Sequence, residues 1–233
     1  MQYYLAVWSL LFGLVIGSFL NVVIYRLPRH ESFVTPGSHC PECGTAIRWF
    51  DNIPVAGWLL LRGRCRTCRT SISMRYPLVE GFTGVAFLAA YVCIGLSAGV
   101  LLAWALTAVL VTLGFIYYDH GVVPGKLVFP ATLCGLGAGA ALDLGHWWYY
   151  VAGSIGAGLL VFVLSLADPR RSHLGQVKVA LLLGAVFGPW AVAAVPVAAL
   201  FTAMAGITPV FWQKSRLCAR TVFAPYPTDA DTR

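Results

Sequence analysis

The chain has 233 residues, 59% of them hydrophobic and only 11% charged. A soluble domain carries roughly a quarter of its residues as charges, so a water-exposed globule is excluded and an all-α polytopic membrane protein is expected. The net charge of +7 would point to nucleic acid in a soluble protein. Here the positive-inside rule accounts for it, so no nucleic-acid partner is expected and the lipid bilayer is the first partner.

The first apolar run, residues 3–25, lacks a basic leading segment and is long enough to span, which reads as a membrane helix instead of a cleaved leader. Its Gly13, Gly17 and Ser18 are small residues of the kind that let a second helix approach closely. Pro28 turns the chain into a polar stretch, residues 26–76, that holds CPEC at Cys40–Cys43 and CRTC at Cys65–Cys68. Two thiolates at each of two tight turns suit tetrahedral Zn²⁺, so a zinc knuckle with structural zinc is predicted. Two disulfides are the alternative. Cys93, Cys134 and Cys218 stand alone and read as small apolar residues or unpaired thiols.

Between the cysteine pairs lies IRWFDNIPVAGWLLLRGRC, apolar enough to pack a small core or to rest on the membrane surface. Trp49, Trp58 and Arg62 fit either a substrate-docking surface or that core, and the core is favoured. Glu80 falls near the start of the second span. It reads either as a paired or wetted acid or as a carboxylate favoured near a helix N-terminus.

Further apolar runs at residues 77–98, 100–118, 127–143, 147–167, 177–190 and 191–212 bring the expected spans to seven, with Gly188 and Pro189 between the last two. Asp119 and His120 end the third run and Asp168 ends the fifth. Asp143 and His146 read as ordinary interfacial residues. The sixteen Lys and Arg residues all fall on alternate connections and the C-terminal tail, and the connections near residues 99, 145 and 189 hold none. That side is then the cytoplasm. The N-terminus is predicted outside, and the cysteine loop and C-terminus inside, where disulfides rarely persist. The expected organisation is a first helix (1–25), a cytosolic knuckle (26–76), a six-helix membrane unit (77–212) and a cytosolic tail (213–233).

Four stretches resemble the prepilin leader peptidases, bacterial inner-membrane aspartic endopeptidases that process type IV prepilins and pseudopilins. They are GLVIGSFLNVVIYRLPR (13–29), the CPEC and CRTC pairs, SISMRYPLVE (71–80) and FAPY (223–226). The first 80 residues match densely and the remainder in fragments. The resemblance implies a helical membrane peptidase acting on a prepilin partner, with S-adenosylmethionine as cofactor where the new N-terminus is also methylated. It further implies two catalytic aspartates at helix ends, one in Ile-Asp followed after six residues by Pro, the other in GxGD followed by one residue and Lys. Such a pair shares a water, one acid protonated and the other ionised.

Here the first pattern reads IYYDHGVVP, with Tyr117 at the catalytic position, and the second reads HLGQVK, with Gln176 at the catalytic position between Gly175 and Lys178. Asp119 lies two residues past Tyr117, a helical rotation of about 200°, and matches an accessory acid of the family. Tyr117, Asp119, Gln176 and Lys178 therefore mark a catalytic region degenerate for aspartic proteolysis. Three readings follow: a leader-recognising protein without proteolysis, an active peptidase using Asp119 and a second acid such as Asp168, or a methyltransferase alone. The family's usual eighth span has no counterpart among the apolar runs.

Overall fold

The structure, a computed structural model, describes residues 2–35, 37–142, 145–166 and 174–188. Among them there is no strand. Seven α-helices follow in order: α1 (Gln2–Arg26), α2 (Ala56–Leu60), α3 (Arg75–Ile94), α4 (Ala98–His120), α5 (Gly125–Leu142), α6 (Trp147–Leu166) and α7 (Leu174–Phe187). Three of these segments are long and apolar enough to cross a membrane: Gln2–Arg29, Arg75–Ile94 and Ala98–His120. The expected run at 191–212, Asp143, Asp168 and FAPY lie outside the described residues.

The helices end where their sequences allow it. Gly95 (φ +76) and Gly121 (φ +69) adopt positive φ at little cost. Each returns its amide to the last turn, Gly95 to the Tyr91 carbonyl and Gly121 to the Tyr117 carbonyl. Within the helices the hydroxyls of Ser9, Thr83, Thr107, Thr112 and Thr132 donate to the carbonyl four residues earlier. Apolar surroundings offer no water to satisfy such groups, so each helix satisfies its own.

Packing is most extensive between α1 and α3, which run antiparallel in a fixed register. A Cβ added at Gly13 would lie 2.8 Å from the Gly84 Cα, and one at Gly17 would lie 2.7 Å from the Glu80 Cα. Four residues further on, the Asn21 side chain donates to the Tyr76 carbonyl at 3.2 Å. Every fourth residue of α1 thus meets every fourth residue of α3 in reverse, with small residues where the backbones come closest. α4 closes this side: Leu20, Ile24, Val79, Val111 and Ile116 are buried together, and Trp104 stacks on Phe87 at 5.3 Å while donating to the Phe87 carbonyl.

A second group joins α4 to α5 and α7 through Leu113, Val128 and Leu182. α6 and α7 approach through small residues. A Cβ at Gly184 would meet the Gly153 carbonyl oxygen at 2.4 Å, and the Ser154 hydroxyl donates to the Leu181 carbonyl at 2.9 Å.

Candidate functional site

Among the described residues, two places gather chemistry-bearing side chains. One is the loop between α1 and α3, which folds as a repeat of itself at an offset of 25 residues. Cys40 N–H donates to the Thr45 carbonyl (2.9 Å) and Cys65 N–H to the Thr70 carbonyl (2.8 Å); Gly44 N–H returns to Cys40 and Arg69 N–H to Cys65. Bridges pair His39 with Ala46 and Arg64 with Ser71. The sequence reason is the shared pattern Cys-x-x-Cys-x-Thr, whose fifth position must turn with positive φ. In the first copy that residue is Gly44 (φ +67); in the second it is Arg69 (φ +61), which carries the steric cost glycine avoids.

The two turns face each other and bring Cys40, Cys43, Cys65 and Cys68 together, their sulfurs all within 4.8 Å of one another. Cys40 and Cys68 Sγ are 3.7 Å apart. A tetrahedral ion with metal–sulfur bonds of about 2.3 Å places its sulfurs about 3.8 Å apart, so the donor set fits Zn²⁺. All four thiols are free, and 3.7 Å is far beyond the ~2.05 Å of a disulfide. Hydrogen bonds favour the ionised form at three of them. The Thr45 hydroxyl holds the Cys43 thiol below its ordinary range, the Cys68 amide does so for Cys65, and the Thr70 hydroxyl for Cys68. Cys40, despite the Cys43 amide, is pushed up to about 11 by burial and by the neighbouring thiols of Cys43 and Cys65. Four sulfur donors in one cluster select a soft or borderline divalent cation.

The segment between the cysteine pairs departs from expectation. Trp49 is 81% exposed, with Leu60 at 78% and Leu59 at 60%, so Trp49 belongs to no core. Trp58 does turn inward: its indole donates to the Ile72 carbonyl at 3.0 Å and its ring covers Gly63. Asp51 accepts two hydrogen bonds from Arg66 at 2.6 and 2.8 Å, which hold its carboxyl below the usual range. Glu80 does not cap its own helix. Its Oε2 accepts from Val55 N–H at 2.7 Å, with the Ser18 hydroxyl as a further partner, so the acid ties the loop to the α1–α3 seam.

The second place is the end of the bundle where α4 finishes and α7 begins. Tyr117 lies in the last turn of α4 and is 52% exposed. Asp119, on the same turn, is ion-paired with Arg75 at the start of α3, and Arg75 also lies over the Phe115 ring at 5.6 Å. The first turn of α7 packs on the connection following α4: a Cβ at Gly175 would touch Val123 at 2.8 Å, and Lys178 Nζ donates to the Val123 carbonyl at 3.4 Å. Gln176 sits between these two contacts, half-buried. The residues named from sequence thus fall at one end of the bundle, but Asp119 is directed to α3. Its pairing with Arg75 was missed because the two lie 44 residues apart; the only signal was an arginine opening a span.

The comparisons agree with this layout. The family model described as Bacterial Peptidase A24 N-terminal domain matches residues 11–94, which cover α1, the cysteine loop and α3. A prepilin leader peptidase/N-methyltransferase of Myxococcus xanthus (strain DK1622) is 38% identical over 207 residues, 78% of this chain and 62% of that protein. This chain therefore spans somewhat under two thirds of that relative. A protein of the same name from Stutzerimonas stutzeri is 33% identical over 255 residues, 94% of this chain and 86% of its own length. In Escherichia coli O78:H11 (strain H10407 / ETEC), a type 4 prepilin-like proteins leader peptide-processing enzyme is 44% identical over 130 residues, 48% of each chain. No solved structure matches the chain. With a relative this similar over nearly its whole length, the chain belongs to the prepilin leader peptidase/N-methyltransferase family.

Proposed function

We propose that this protein is a leader-recognising member of its family that binds type IV prepilin or pseudopilin segments without cleaving them. The observation that carries the reading is the chemistry at the two aligned catalytic positions. Tyr117 and Gln176 stand there, and a phenol and a carboxamide do not form the proton-sharing carboxyl pair that aspartic proteolysis requires. Asp119, two residues past Tyr117, has its carboxylate engaged by Arg75. Two neutral groups also remove the repulsion and desolvation cost of two adjacent acids, the usual exchange of activity for stability.

In this reading the four cysteines hold a structural Zn²⁺ that fixes the loop between α1 and α3, and the chain crosses the bacterial inner membrane seven times. The loop and the C-terminus face the cytoplasm, the side where all basic residues gather. The relatives' N-methyltransferase name implies S-adenosylmethionine as methyl donor, and no residue here is assigned to it. An active peptidase relying on Asp119 is the second reading, which the Arg75 pair disfavours.

Purified protein mixed with a model prepilin and followed by mass spectrometry tests this. Retention of the prepilin by the protein with its leader intact is the expected result. A cleaved leader overturns the reading; one added methyl on an already cleaved pilin would assign a transferase instead.

A further inference from the structure

We propose that residues 49–60 form an interfacial wedge that seats in the anionic headgroup layer of the bilayer, held at its depth by Glu80. The segment sorts its side chains by destination. Phe50 lies beneath Arg48 and Arg66, whose guanidinium carbons stand 5.8 and 5.4 Å from its ring centre, and Trp58 is hydrogen-bonded inward. Trp49, Ile53, Leu59 and Leu60 turn outward, 81, 43, 60 and 78% exposed. These four lie within three residues of one contact: Gly57 abuts the Asp51 carbonyl so closely that a Cβ would stand 2.1 Å from it. That contact brings the two ends of the segment together, so its outward side chains are gathered in one small region.

The depth of that face follows from Glu80. It lies five residues, about 7.5 Å, along α3 from Arg75, since a helix rises about 1.5 Å per residue. It is also one turn past Tyr76, which with Tyr25 is half exposed at this end of the seam, where aromatic residues mark a membrane interface. Even allowing for a side chain that leans back toward the helix N-terminus, a backbone amide bonded to this carboxylate sits beside the helix ends and not beyond them. The hold is firm enough to maintain an unusual backbone. Val55 has φ +60 and Ala56 N–H closes on the Pro54 carbonyl at 2.6 Å, a γ-turn that is rare and strained, more so for a β-branched residue.

Charge names the occupant. Arg48, Arg62 and Arg64 flank the apolar face and are exposed, and no acid of residues 44–64 other than the Arg66-bound Asp51 opposes them. Aromatic and aliphatic side chains flanked by arginines suit the boundary between anionic headgroups and acyl chains. The proposal rests on the long helices spanning a bilayer and is independent of any peptidase activity.

The test uses the full chain in nanodiscs of phosphatidylcholine and phosphatidylglycerol brominated near the headgroup end of the acyl chain. Fluorescence is compared between wild type and Trp49→Phe to isolate the Trp49 signal, and between wild type and Trp8→Phe as control, because Trp8 is an exposed residue within α1. A loss of about twofold in the Trp49 signal is expected for a ring at that boundary, smaller in Glu80→Ala and retained in Glu80→Gln, which keeps the acceptor. Quenched Trp8 with an unquenched, iodide-accessible Trp49 overturns the wedge. Unquenched Trp8 overturns the membrane reading itself. A Trp49 that is silent to brominated lipid but shielded from iodide by an added prepilin leader peptide assigns the face to substrate and also overturns the proposal.

Discussion

The seam between α1 and α3 and the end where α4 meets α7 follow opposite logics. Along the seam the closest contacts are to backbone: Gly13 and Gly17 admit α3 with no space for a methyl group, Asn21 reaches across to the Tyr76 carbonyl and Glu80 to the Val55 amide of the adjoining loop, and that loop repeats one turn geometry twice. At the α4–α7 end the backbone frame is also in place, with Gly175 and Lys178 set against Val123, while a phenol and an amide, Tyr117 and Gln176, stand at the positions we propose to be degenerate. On the proposed reading, scaffold and reaction are separable.

The sharpest way to break that contrast is to return the chemistry to the frame. Tyr117→Asp combined with Gln176→Asp is expected to raise prepilin cleavage from background to a readily measured rate, read by mass spectrometry. A correctly folded but wholly inactive double variant would show that the frame, too, has been lost. Next in size is the cysteine loop. Cys40→Ser with Cys43→Ser is expected to abolish bound zinc by metal analysis and to open residues 31–74 to protease, since structural zinc contributes about 10 kcal/mol to small domains.

Within the seam, Gly17→Ala is expected to cost roughly 2–3 kcal/mol by thermal unfolding in detergent, because the added methyl meets backbone that cannot yield. Gly81→Ala on the same helix pair faces open space and is expected to gain about 0.5–1 kcal/mol through helix propensity. Arg75→Gln and Asp119→Asn, combined in a double-mutant cycle, are expected to show a coupling of about 1 kcal/mol, as befits a partly exposed ion pair. Smallest is Arg69→Gly, which relieves a positive φ and is expected to stabilise by about 0.5 kcal/mol.

Much of this was legible in the residues. Cysteine spacing announced the four-sulfur cluster because two short chelating turns have few other uses, and Gly13 and Gly17 announced a close helix neighbour. Contacts of long sequence separation were not legible. Glu80 had two plausible roles and took neither unchanged, because its partner is a main-chain amide 25 residues earlier, a group that every residue except proline possesses. Asp119 looked available until α3 supplied Arg75. Apolar composition suits Trp49 to a protein interior as well as to a membrane surface, and the structure turns it outward. The next turn of the same segment, with Trp58 bonded to Ile72, did follow the rule.

The four-residue repeat of contacts between α1 and α3 has a consequence for how this pair tolerates change. Gly13, Gly17 and Asn21 form a ladder whose rungs are one helical turn apart, so an alternative alignment must slip by a whole turn, about 6 Å, placing Asn21 opposite Glu80. A one-residue insertion in α1 instead rotates everything beyond it by about 100°, turning bulky side chains into the crevice. Length variation between Gly13 and Asn21 is therefore disfavoured in single steps, whatever the hydrophobicity of the added residue.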